Sequence, residues 1–157
     1  MNDKQQTEKD EFQKNAMCLK NDGHGKMNII LSIKPKWAEL IYSGKKTIEW
    51  RKSFPRNVKI DKVFLYETAP VKAITGFFTL QEKPFFYVSS VCALPEQIIA
   101  SGCVPMVDLI KYRKNVDGIL GWMIDKVTKF DKPLPLSYLD LKRPPQSWCY
   151  DLSDLPF

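Results

Sequence analysis

The sequence predicts an α+β fold that is mainly β, a small β-barrel with helices in its connections. Two observations carry this reading. Short runs rich in β-branched and aromatic residues recur from Asn28 to the carboxyl end, too closely clustered for regular strand–helix–strand repeats. Apolar residues at helical spacing fall only between those runs, each stretch with a proline near its start. At 157 residues the chain is the size of one domain. With 44% hydrophobic, 12% aromatic and 27% charged residues it has the composition of a soluble protein with a packed core.

Residues 1–26 hold few large apolar side chains and no sustained period, so they read as a disordered or loosely ordered tail ahead of a domain at 27–157. The pattern turns regular at Met27, where translation could also start. "NIILSIKP" is a strand closed by Pro35, and "PKWAELIYSG" a helix of about two turns with Trp37, Leu40 and Ile41 on one face. Gly44 suits the left-handed residue that ends such a helix. "KTIEWRKSFP" alternates, with Ile48 and Trp50 on one side and Thr47, Glu49 and Arg51 on the other. "DKVFLYETAP" and "KAITGFFTL" form two more strands around a turn at Pro70, and "KPFFYVSSV" a further one starting at an edge because of Pro84. Two helices follow, in "LPEQIIASGC" and "VPMVDLIKYRKN". "DGILGWMIDKVTKF" and "QSWCYDL" return to strand patterns.

Charge is unevenly placed. The net +6 arises entirely between Lys34 and Lys62, where nine basic residues meet three acidic ones. Such a concentration attracts polyanions such as nucleic acid, although an ordinary lysine-rich surface gives the same total. No apolar run is long enough to span a membrane and the amino terminus is polar, so a cytoplasmic protein is expected. Cys18, Cys92, Cys103 and Cys149 form no CxxC pair, and His24 is the only histidine; neither a zinc set nor any other metal or cofactor is indicated.

The chemistry concentrates in "SGKKTIEWRK". Gly44 ends a helix, Lys46 follows, and Glu49 and Arg51 share one face of a strand, about 6–7 Å apart at Cα. Two cations and a carboxylate together can hold an anion or a polar base edge. The plain alternative is an exposed Glu49–Arg51 pair contributing about 0.2–1 kcal/mol, with Lys46 in solvent. Tyr66, Tyr87, Trp122, Trp148 and Tyr150 are aromatic candidates for stacking on a base, though such residues more often fill a core. "KYRK" at 111–114 reads either as favourable charge at a helix end or as an extension of a basic surface.

Gly44, Lys46, Glu49 and Arg51 stand in the pattern GxKxxExR. Together with "LSIKPKWAELIYSGKKTIEWRK", "VFLYETAPVKAITGFF", "GILGWMIDKVTKFDKPLPLSYL" and "RPPQSW", they make residues 28–152 resemble an ASCH domain, a PUA-like β-barrel. That resemblance implies a protein that binds RNA or a modified nucleotide in a cleft beside the motif, with a regulatory role in some members. It implies Lys46, Glu49 and Arg51, with Gly44 of the same motif, as ligand-binding residues in that cleft. Tyr66 and Trp148, which lie in segments of the resemblance, are the candidates to stack a base, and Arg143, before Pro144 and Pro145, is a further candidate donor at the cleft edge. DNA stays open as a partner, a membrane is not expected, and no oligomeric state is indicated.

Two enzymatic branches remain as alternatives. One hydrolyses the acetyl amide of N4-acetylcytidine with a lysine and a threonine three residues later. Here that third position is Glu49, so the hydroxyl is missing, and Thr47, adjacent to Lys46, is differently placed. Lys46 and Glu49 would be the catalytic pair of any hydrolase built on this site, with Glu49 as a base toward water. The other branch is a ribonuclease, for which the domain lacks the usual histidine.

Overall fold

The computed structural model describes residues 26–139 and 141–151. Nine elements follow in order: β1 (Lys26–Ile33), α1 (Pro35–Tyr42), β2 (Ile48–Arg51), β3 (Lys59–Glu67), β4 (Ala73–Val88), α2 (Glu96–Gly102), α3 (Met106–Arg113), β5 (Ile119–Leu134) and β6 (Trp148–Asp151). Single turns of tighter helix lie at Val91–Ala93 and Leu136–Leu139. Apart from Lys26, which opens β1, the expected tail lies outside the described residues.

The strands form one mixed sheet in the order β2-β5-β4-β3-β1-β6, mostly antiparallel, with β1 and β3 parallel. A crossover through α1 and β2 separates those two strands, as a parallel pair requires. The fold class is therefore α+β and mainly β, as the sequence predicts, but the sheet is open and β2 and β6 are its edges. The two strands expected at residues 72–80 and 83–91 are one continuous β4. Pro84 falls between Leu80 and Phe85, where the register against β5 shifts. A residue without an N–H is tolerated at such an irregularity, so the proline does not end the strand.

Period-2 patterning sorts β1 between two cores. Ile29, Leu31 and Ile33 pack with Ala38 and Ile41 of α1 and with Val63, Leu65, Phe78, Trp122 and Ile124. Ile30 points the other way, toward Phe64, Tyr66, Ile74 and Leu139. A third group, Ile48, Trp50, Val88, Val91, Leu109 and Ile119, lies beneath α2 and α3. Pro35 occupies the first turn of α1, and Gly44 takes φ +77° just beyond its end. The Tyr42 hydroxyl pins this helix to β4 through a 2.7 Å hydrogen bond with Thr75.

Candidate functional site

All four residues of β2 are buried. Alternation directs Ile48 and Trp50 into the core under α2 and α3, while Glu49 and Arg51 face a recess that the exposed edge of an open sheet would not provide. Lys46, Glu49 and Arg51 are 1%, 5% and 9% exposed. The plain alternative of a solvated Lys46 beside an exposed pair is set aside, because the loop before β2 is covered by the carboxyl end of α2.

That cover is specific. The Lys46 ammonium donates to the carbonyls of Ile48 at 2.8 Å and Gly102 at 2.5 Å, and lies 3.2 Å from Glu49 Oε2. Around it, Thr47 N–H donates to Ser101 O at 2.9 Å and the Cys103 thiol to Lys45 O at 3.4 Å. Gly102 packs against the Trp50 indole so closely that a Cβ there would collide with the ring. The motif lysine therefore caps α2 with a positive charge at the negative end of the helix.

Glu49 is held from the other side by Arg51, whose Nε donates to Oε1 at 2.9 Å and whose Nη2 lies 2.8 Å from the same oxygen. Arg51 also reaches across the gap in the sheet. Its Nη2 donates to Ser32 O of β1 at 2.8 Å, and its Nη1 to Ser147 Oγ, just before β6, at 3.3 Å. A guanidinium thus bridges β2 to β1 where no backbone ladder does.

Counting donors separates supporting from available groups. An ammonium has three N–H bonds, and Lys46 has three acceptors. A guanidinium has five; among the described residues four of those of Arg51 find acceptors, which leaves one Nη1 N–H. Among the described residues Glu49 Oε2 meets Lys46 alone, leaving it a second acceptor position. The group carries one excess positive charge and presents one acceptor and one donor.

The recess above has a volume of about 590 Å³. Its lining combines this floor with Ser32, Lys34, Lys36 and Trp37 from β1 and α1, and Asp108 and Tyr112 from α3, with Thr68 and Gln146 from the neighbouring loops. Lys34 and Lys36 are exposed at its rim. Trp37 has the Lys36 ammonium 4.4 Å from its ring centroid, and Tyr112 has that of Lys52 at 5.0 Å. Burial raises the Tyr112 phenol above its ordinary pKa; Arg51 and the Lys52 backbone oppose that shift, and Glu49 adds to it.

Of the residues singled out in the sequence, the structure brings Lys46, Glu49 and Arg51 together in the recess. Gly44, Tyr66, Arg143 and Trp148 are not among its lining residues. Gly44 sits in the exposed turn after α1, Tyr66 is packed against Ile30 and Phe64, and Arg143 is exposed. Trp148 lies 6.4 Å from Trp122 and donates its indole N–H to Ser53 Oγ at 3.0 Å. Thr47 is exposed and also absent from the lining. The sequence did not mark Trp37, Tyr112, Lys34 or Lys36 individually. The basic "KYRK" stretch was the one signal pointing to Tyr112. Among the described residues, no three of His, Cys, Asp and Glu gather as a metal set, and no helix is long and apolar enough to cross a membrane.

The chain has relatives. The family model for the ASCH domain matches residues 31–122, and the chain belongs to the ASCH domain family. An ASCH domain-containing ribonuclease from Zymomonas mobilis subsp. mobilis is 38% identical over 52 residues, a stretch that is 33% of this chain and 35% of that protein. The match thus spans about a third of that relative's length. The crystal structure of ASCH from Zymomonas mobilis superimposes with a TM-score of 0.67 at 24% identity, covering 78% of this chain and 86% of that one. A serine-to-alanine variant of the Zymomonas protein also gives 0.67, at 23% identity, covering 78% and 87%. At such identities the two structures establish the shared fold.

Proposed function

We propose that the recess binds RNA, or a nucleotide with a modified base, on the Lys46–Glu49–Arg51 floor. The observation that carries this is the burial of three charged side chains at the bottom of an open, cation-rimmed hollow. Charged residues are seldom fully buried unless paired, and here the pairing still leaves an acceptor position of Glu49 and a donor of Arg51 beneath a space of about 590 Å³, the size of a small-ligand site. Lys34 and Lys36 meet phosphate at the rim, while Glu49 Oε2 and the remaining Arg51 N–H meet a polar base edge. The name of the Zymomonas relative agrees with RNA as the polymer. Titrating the protein with a labelled single-stranded oligoribonucleotide at several salt concentrations tests the reading. Binding that weakens steeply with salt is expected, and no binding at low salt overturns it.

The same relative's name favours a second reading, cleavage of the bound strand. Glu49 Oε2 would take the proton of the strand's 2′-hydroxyl as that oxygen bonds to phosphorus, and the bond from phosphorus to the 5′-oxygen of the next nucleotide would break. The protonated Glu49 would return its proton to that leaving oxygen, and Arg51 would neutralise charge growing on the phosphate. Fragmentation of the oligonucleotide by the wild type and not by Glu49→Gln supports it; an intact strand after prolonged incubation removes it. The amidohydrolase alternative is weaker, since position 49 is occupied by a carboxylate held between two cations and Thr47 lies outside the recess.

A further inference from the structure

We infer that Tyr112 is the stacking wall of this recess, and that the ligand enters as one unpaired base of a single strand. The inference rests on the RNA-binding reading and adds the form of the nucleic acid. The polar floor is 1–9% exposed, so only something narrow reaches it. A paired base within a duplex keeps its edge engaged with its partner and its faces stacked on neighbours, whereas an unpaired nucleotide can present both. A volume of about 590 Å³ accommodates a single small ligand.

Base faces need an aromatic partner, and the recess lining contains Trp37, Trp50 and Tyr112. Trp50 is 5% exposed and its indole is packed on Gly102, which removes it from contact. Trp37 is half-buried against the core beneath α1. Tyr112 differs: it is 37% exposed on α3, while its side chain remains close to Arg51 and Glu49 on the floor. Both rings carry a cation, Lys52 5.0 Å from the Tyr112 centroid and Lys36 4.4 Å from that of Trp37, so exposure is what sets Tyr112 apart. Stacking on such a ring is indifferent to base identity, and selectivity would then come from the edge contacts to Glu49 and Arg51.

The test uses an oligoribonucleotide carrying a single 2-aminopurine, free or annealed to its complement, with the wild type, Tyr112→Phe and Tyr112→Ala. The single strand is expected to bind with quenching of 2-aminopurine fluorescence, and the duplex to bind more weakly without quenching. Tyr112→Phe, which keeps the ring, preserves the quench. Tyr112→Ala loses it and weakens affinity by about 5- to 150-fold. Circular dichroism and thermal melting confirm that each variant is folded. Single-strand binding and quenching by Tyr112→Ala at wild-type strength overturns the inference and leaves the RNA reading standing, as does equal binding of the duplex. Failure of the wild type to bind either form overturns both.

Discussion

The Lys46 ammonium lies 2.5 Å from the carbonyl oxygen of Gly102, a residue 56 positions further along the chain. That hydrogen bond joins the motif before β2 to the end of α2, and through α2 to the helical wall that carries Asp108 and Tyr112. Lys46 accordingly supports the recess from below, with each of its N–H bonds directed to the protein itself.

Replacing Lys46 by methionine should destabilise the fold by about 3–5 kcal/mol, since Glu49 loses one of its two buried counter-charges and two carbonyls lose their donor. Urea unfolding measures this. Where RNA still binds, the salt dependence of the Lys46→Met variant should match that of the wild type, because Lys46 has no donor left for a phosphate.

Lys34→Ala with Lys36→Ala should do the opposite. Both side chains are exposed, so stability should change by less than about 1 kcal/mol. The slope of log affinity against log salt should flatten by about 0.7 for each phosphate of a single strand that is no longer neutralised. Titrations at matched salt series separate the two cases, and an unchanged slope would remove the rim lysines from the interface.

Gly102→Ala places a methyl group inside the Trp50 indole. A loss of about 1–3 kcal/mol is expected from the overpacking, visible as a lower melting temperature. Near-UV circular dichroism should change with it as the indole shifts.

Tyr42 supplies a pH prediction. Burial raises its phenol from 10.0 to about 12, with the Thr75 hydrogen bond opposing and the Glu67 charge reinforcing the shift. The folded state then holds this proton where the unfolded state has released it. Stability from this group is therefore complete below about pH 10 and falls between pH 10 and 12. Urea midpoints for the wild type should drop more steeply over that window than those of Tyr42→Phe, which keeps the lysine titrations and lacks the phenol.

Much of the fold was legible because the periodicities are local. Ile29, Leu31 and Ile33 announce a half-buried strand, and Pro35 with Gly44 brackets α1. The join of two expected strands into β4 was hidden, since Pro84 reads as a boundary until the register shift opposite it is seen. Openness of the sheet was equally hidden, because closure depends on which edges meet in space. At the site, the GxKxxExR spacing marked Lys46, Glu49 and Arg51 correctly as neighbours. It gave no sign of their burial, which comes from Ser101 and Gly102 of a distant helix. Tyr112 and Trp37 were obscured for the same reason: each looks like an ordinary residue of an amphipathic helix, and only the packing of α1 and α3 turns both toward one space.

Arg51 fastens β2 to β1 at the seam where the sheet stays unlaced. A residue that contributes to the hollow's charge is thus also a clasp between two of its walls. Loosening that clasp is expected to slacken the vessel as well as to empty it. Exchanges at the lip and sides, unlike those at Arg51, can therefore alter how tightly a strand is held without undoing the container.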